Sequence, residues 1–272
     1  MQNKISFFSS FLSQITTQRA LIAQLIKREI YGRYRGSFIG LLWSFFTPIF
    51  MLAIYSFFFS IVYQARWGTV GESKVNFALT LFAGLIPFTL FSECINRSPQ
   101  LITNNVNYVK KVVFPLNVLP IVSLGAGLFH ASVSILVLLI FLLIEQHSLP
   151  WTIIFLPLVN LPLIFLILGV SWFLASVGVF VKDIAHTITL FTSALLFLSP
   201  IFYSISLLPT TYQHVLKLNP LTTIIEQNRN ILLWGKLPDW HSLSVSVLVT
   251  FIIAWLGFYW FERTKYAFAD VL

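Results

Sequence analysis

The chain reads as an all-α integral membrane protein with six transmembrane helices, and three observations carry that reading. Of 272 residues, 57% are hydrophobic and only 10% are charged, against roughly 25% charge in ordinary soluble domains. Mean hydropathy is +0.86. Six stretches are apolar for about the 20 residues a helix needs to cross about 30 Å of hydrocarbon: 37–63, 77–95, 116–144, 151–181, 187–207 and 242–261. The polar remainder is divided among short connectors, so a single membrane domain over 1–272 is expected.

The first residues, MQNKISFFSSFLSQITTQ, interrupt their apolar run with serines and lack a small-residue cleavage site, so they are not expected to act as a signal peptide. Residues 17–35 have helical periodicity. Leu21, Ile22, Leu25, Ile26 and Ile30 share one face, and Gln24, Lys27, Arg28, Tyr31 and Arg35 lie opposite, the pattern of an amphipathic helix lying at the membrane interface. Glu29 and Arg33 break this pattern, projecting near the centre of the apolar stripe. They stand at i and i+4 with the acid first, the favourable order for a pair. Charges facing acyl chains are costly, so this end of the helix is expected to face protein or a lipid headgroup.

The first span follows at once, in REIYGRYRGSFIGLLWSFFTPIFMLAIYSFFFS at 28–60. Arg33 and Arg35 admit two readings: anchors on the cytoplasmic side, or guanidinium forks that grip the phosphate oxygens of a diphosphate headgroup. Within the span, Trp43, Phe46, Phe50 and Phe57 share a helix face. They pack against other helices or lipid, or they line a channel. Flat aromatic faces suit the C–H faces of pyranose rings, and a moving polymer requires many weak contacts.

The connector at 96–115 (NRSPQLITNNVNYVKKVVFP) is longer than a turn requires. The fourth span carries Pro157 and Pro162; it can cross once, kinked, but not twice. Residues 208–241 contain an apolar run, Leu221–Trp234, broken by Glu226–Asn230. The run is too short and polar to cross, and suits a pair of re-entrant helices. With the N-terminus inside, inner segments hold 12 of the 17 Lys and Arg and outer ones hold 5, so both termini are expected to be cytoplasmic.

Several function classes are disfavoured. The net charge of +8 comes from basic residues beside spans, where they meet anionic headgroups, and no nucleic-acid partner is expected. Cys94 is the sole cysteine, and the five histidines lack metal-ligand spacing. No P-loop, nucleophile elbow or dinucleotide fingerprint is present, so the chain is expected to be neither enzyme nor cofactor carrier. Glu93 and Glu145 sit at span ends, where a snorkelling role outweighs proton relay.

Five segments in order, REIYGRYRGSFIGLLW (28–43), YVKKVVFPLNVLP (108–120), VFVKDIAH (179–186), SPIFYSISLLP (199–209) and LNPLT (218–222), resemble the permease subunit of ABC-2-type polysaccharide exporters, which move O-antigen, capsule or teichoic-acid polymers across the bacterial inner membrane. The resemblance implies two copies of this chain with two copies of a cytosolic ATPase that uses ATP and Mg²⁺. It implies that 96–115 holds a coupling helix docking on that ATPase, with Asn104, Asn105, Asn107, Tyr108, Lys110 and Lys111 as the contact surface. It implies that an undecaprenyl-diphosphate-linked glycan arrives beside the amphipathic helix, near Arg33 and Arg35, and that 208–241 gates the external mouth. The alternatives are an ABC-2 exporter of drugs or lipids and, from another class, a membrane enzyme acting on polyprenyl-linked sugars.

Overall fold

In the computed structural model, which describes residues 17–58, 74–110 and 114–272, every regular element among the described residues is helical. Helix α1, Arg19–Arg33, is followed by a reversal in which Gly36 (φ 86°) and Gly40 (φ 57°) occupy the left-handed region open to glycine. A 3-10 turn, Gly40–Leu42, then leads into α2, Trp43–Tyr55. Helix α3 is Lys74–Arg97 and the short α4 is Val106–Lys110. Helix α5, Val118–Gln146, ends on His147 in the left-handed conformation.

The fourth expected span is built from three pieces. A 3-10 turn, Trp151–Phe155, and α6, Leu156–Val159, are separated by Asn160 from α7, Leu161–Phe180. Pro162 lies in the first turn of α7, where its missing N–H costs nothing. The remaining helices are α8, Ile184–Leu198; α9, Thr210–Lys217; α10, Pro220–Leu232; α11, Trp240–Thr264; and α12, Phe268–Val271.

Among the described residues, five stretches are long and apolar enough to cross a membrane: Gly40–Phe58, Phe77–Gln100, Val118–Gln146, Trp151–Phe180 and Trp240–Val271. The expected span at 187–207 differs from the structure. Helix α8 has 15 residues, about 22 Å at 1.5 Å per residue, and stops at Leu198. The cause is local: Ser199 precedes Pro200, whose ring disfavours helical geometry before it, and Ser199 is extended (φ −103°, ψ 147°).

Helix α3 is the centre of the bundle. In its most apolar window 78% of residues are buried, against 17% in the α2 stretch, which lies at the periphery. A large core joins α3, α5, α7 and α11 through Phe91, Leu124, Ile167, Trp172 and Phe258. Helices α7 and α11 cross with their backbones in contact. A Cβ on Gly257 would lie 2.0 Å from the Gly169 carbonyl oxygen, and one on Gly169 would lie 2.6 Å from that of Ile253. Small residues let the two backbones touch, as they do in close transmembrane pairs.

The run Leu221–Trp234, expected to form a pair of re-entrant helices, folds as the single helix α10, because its polar residues Glu226–Asn230 are accommodated without a break; α9 precedes it. Helix α10 is fastened deep into the bundle by Arg229, which is fully buried. Its Nε donates to the Thr80 carbonyl at 3.0 Å, and its two Nη atoms donate to the carbonyls of Pro200 (2.6 Å) and Ile201 (2.9 Å). Nη1 also meets Glu226 at 2.9 Å. Burial pulls its pKa down to about 10, with Glu226 opposing, so it stays charged at neutral pH. Gly84 leaves the space the guanidinium occupies. Further bonds run from Thr152 to the Ile231 carbonyl (2.7 Å) and between Asn160 and Asn228 (3.0 Å).

Candidate functional site

Helix α1 meets the bundle through its apolar face. Ile22 and Leu25 are buried against Val118 and Val122 of α5, and Ile26 occupies the space that a Cβ on Gly125 would need. The stripe that resembles a membrane-binding surface is therefore used, in large part, against protein. Gly32 does not end the helix, which continues to Arg33.

That continuation brings Glu29 and Arg33 one turn apart onto α3, where Glu93 and Arg97 are also one turn apart. Arg33 Nη2 donates to Glu93 Oε1, and Arg97 Nη2 donates to Glu29 Oε1. Arg97 Nη1 lies 3.8 Å from the same Glu93 oxygen. The expected intrahelical Glu29–Arg33 pair gives way to two crossed pairs between helices. The reason is that α3 offers the complementary charges with matching spacing, so each acid meets a base on the facing helix. Of the two expected surroundings for this end of the helix, protein or a lipid headgroup, the geometry shows protein partners for both charges.

The quartet is neutral as a whole and sits at a surface: Arg33 and Glu93 side chains are 35% and 23% exposed. Burial pulls the Arg33 pKa down, but the hydrogen bond and charge of Glu93 outweigh it, and the net direction is upward. Next in the chain, the Tyr34 hydroxyl lies 3.4 Å from His130 Nδ1 on α5, and the rings meet edge to face at 5.9 Å. Burial holds the Tyr34 phenol above its ordinary value. The buried Nε2 of His130 has no partner among the described residues.

A cavity of about 410 Å³ opens beside these groups, between the end of α1 and helices α2, α3 and α5. Arg33, Glu93 and His130 line it together with Phe82, Ile86 and Leu90. Charged groups and an imidazole ring thus share one cleft with an apolar wall. Such a site can hold an anionic group against the guanidinium while an apolar chain lies along the helices.

The other expected site residues are distributed differently. Arg35 lies beyond the helix, is exposed, and joins no ion pair among the described residues; it is not part of the quartet. Trp43, Phe46, Phe50 and Phe57 are all exposed, with Trp43 edge-on to Phe46 at 6.4 Å. The buried face of α2 is the opposite one, Ser44, Pro48 and Leu52. In the 96–115 connector, Asn104, Asn107 and Lys110 are exposed. Asn105 donates to the Leu101 carbonyl at 2.9 Å within its own segment. Tyr108 stacks on Phe114 at 4.4 Å and accepts a 2.8 Å bond from Arg28 of α1, so its hydroxyl is spent within the chain. Lys111 lies outside the described residues.

Sequence reasoning missed Arg97, His130, Arg28 and the structural role of Arg229, and treated Glu93 as a snorkelling acid. One signal was present: Glu93 and Arg97 repeat the i, i+4 acid–base spacing of Glu29 and Arg33 at a span end. Nothing in the sequence indicates that the two pairs cross.

Residues 20–233 match the ABC-2 type transporter family. Three relatives are similar over nearly their whole length. The O-antigen export system permease protein RfbA of Myxococcus xanthus is 26% identical over 254 residues, covering 93% of this chain and 95% of the relative. The protein of the same name from Klebsiella pneumoniae is likewise 26% identical over 254 residues, with 93% and 95% covered. The polysialic acid transport protein KpsM of Escherichia coli is 26% identical over 257 residues, with 90% and 93% covered. The chain belongs to the ABC-2 type transporter family.

Proposed function

We propose that this member of the ABC-2 type transporter family is the membrane-spanning subunit of an ATP-driven exporter, moving an undecaprenyl-diphosphate-linked, O-antigen-like polysaccharide out of the cytoplasm. The observation that carries the reading is Arg33 at the mouth of the cavity between α1, α2, α3 and α5. A guanidinium binds phosphate oxygens bidentately, and the apolar wall of Phe82, Ile86 and Leu90 suits a polyprenyl tail. Arg35, exposed two residues on, supplies a second cation to the same headgroup. The names of the relatives, which refer to O-antigen export and polysialic acid transport, support polysaccharide cargo.

In this reading residues 1–272 form one transmembrane domain in the bacterial inner membrane, with both termini cytoplasmic. Helix α8 and residues 199–207 together make the sixth crossing. Helix α1 lies at the inner interface, and α9 and α10 are the re-entrant pair at the external mouth. Two copies of the chain assemble with two copies of a nucleotide-binding ATPase, which uses ATP and Mg²⁺; this chain binds no cofactor and performs no catalysis. Asn104, Asn107 and Lys110 are the exposed residues available to that ATPase. The aromatic stripe of α2, directed away from its own bundle, lines the channel between copies.

The test is the Arg33→Ala/Arg35→Ala double variant in cells carrying the partner ATPase. Export is expected to be abolished while membrane insertion and co-purification with the ATPase persist. Normal export by this variant overturns the diphosphate role. Replacing the ATPase's P-loop lysine is likewise expected to stop export, and its failure to do so removes the ATP-driven part of the reading.

A further inference from the structure

The guanidinium proposed to receive the diphosphate is already occupied. Glu93 accepts from Arg33 Nη2 and lines the same cavity. The pair is partly open to the surroundings, so an anion can reach it. Glu93 also has a second cation in reach: Arg97 Nη1, on the same helix, is 3.8 Å from the same carboxylate oxygen. Losing Arg33 therefore does not leave Glu93 unpaired, which would otherwise be a heavy penalty for a half-buried charge.

A cationic side chain at headgroup depth faces a selectivity problem. The surrounding leaflet presents phosphodiester headgroups at very high local density, each with one negative charge, and a bare guanidinium would be filled by them. A carboxylate fixed on the neighbouring helix competes as a tethered ligand, whose effective concentration is in the millimolar range or above. A phosphodiester that replaces Glu93 exchanges one unit charge for another and gains little. A diphosphate diester carries two charges and more acceptor oxygens, so it offers the guanidinium fork two charge-assisted bonds in place of one.

We propose that Glu93 is a specificity-determining residue of this portal: it holds Arg33 against singly charged phospholipid headgroups and yields it to a diphosphate, turning to Arg97 as it does so. The inference rests on the assignment of Arg33 to the diphosphate.

The experiment uses the complete transporter, chain and ATPase, in nanodiscs, with two probes scored by native mass spectrometry: a polyprenyl diphosphate carrying one sugar, and phosphatidylglycerol. Wild type is expected to retain the diphosphate in preference to the phosphodiester. Glu93→Gln removes one charge with little change of shape, and is expected to raise phosphatidylglycerol retention about tenfold, the scale of one charge-assisted bond; the diphosphate, supplied at a concentration that already saturates the site, gains little, so the ratio retained narrows. Glu93→Asp keeps the charge and is expected to keep the preference, which separates selectivity from a general loss of structure. If diphosphate binding depends on Arg33 but Glu93→Gln leaves the preference unchanged, the role of Glu93 is overturned alone. If Arg33→Ala binds the diphosphate as well as wild type, the assignment of Arg33 falls and this inference falls with it.

Discussion

Arg229 and Glu93 are both charged residues in a chain with few charges, and their surroundings give them opposite characters. Arg229 is enclosed, with four acceptors fixed around one guanidinium. Replacing it with Ala leaves three carbonyls without that donor and Glu226 without its cation, a change expected to cost about 3–5 kcal/mol as for broken buried pairs. Gly84→Leu should mimic it from the other side, because a Cβ there would lie 2.5 Å from Arg229 Nη2. Thermal unfolding of the purified chain in detergent measures both; melting temperatures equal to wild type would contradict the clamp. Asp239 caps α11 through bonds from Ser242 and His241, and these hold its carboxyl below the ordinary carboxylate range, the Ser242 hydroxyl bond contributing most. A depressed carboxylate stabilises fully above its unfolded value and loses that effect as pH falls through the folded one. The melting-temperature gap between wild type and Asp239→Ala is thus expected to be present at pH 6 and to shrink below about pH 4, near the reference carboxylate range. At this scale the sequence was partly legible. Glu29 and Arg33 were conspicuous on an apolar stripe, so a partner, protein or a lipid headgroup, could be expected. The partner's identity was not legible, because the pairing spans 60 or more residues of chain, and only tertiary packing brings α3 beside α1.

Among the elements, α1 carries the most consequence. It is held to α5 by apolar packing, to the end of α3 by the crossed ion pairs, and to the segment before Phe114 by the Arg28–Tyr108 bond. Displacement of the 98–110 segment is therefore transmitted to the helix that carries Arg33. Tyr108→Phe retains the ring stack on Phe114 and removes only the hydroxyl. It is expected to leave export-complex assembly intact and lower the export rate severalfold, measurable as surface glycan per unit of transporter; an unaltered rate argues against transmission through this bond. Periodicity and proline positions made most elements readable from sequence, including the interruption of the fourth span near Pro157 and Pro162, though not its position at Asn160. The end of α8 was not read, because hydropathy continues through Ile201 and Phe202 while Pro200 stops the helix. Periodicity likewise identified the apolar face of α1 without showing whether lipid or protein would cover it, since both present the same chemistry to Ile22 and Leu25.

Across the whole molecule, rigid and uncovered parts are segregated. Helices α7 and α11 touch backbone to backbone at Gly169 and Gly257, so they pack as one unit. Gly257→Ala must part them, with an expected cost of about 1–3 kcal/mol or more, visible as a lower melting temperature. By contrast, the aromatic stripe of α2 contributes little to its own bundle. Phe46→Ala/Phe50→Ala is expected to change the stability of the isolated chain by no more than about 0.5 kcal/mol per site while reducing export; a large loss of stability would show that the rings pack internally.

Cys94, the sole cysteine, is 1% exposed, and its Sγ lies 3.9 Å from the Ser123 carbonyl oxygen. Thiol reagents require an accessible thiolate, so the native chain is silent to maleimides while folded. Any cysteine introduced at an exposed position becomes the one labelled site without removing the native residue. In the proposed assembly of two copies, a single engineered position then yields one symmetry-related pair of probes, and one spectroscopic distance compares the separation of the two α1 helices with and without ATP.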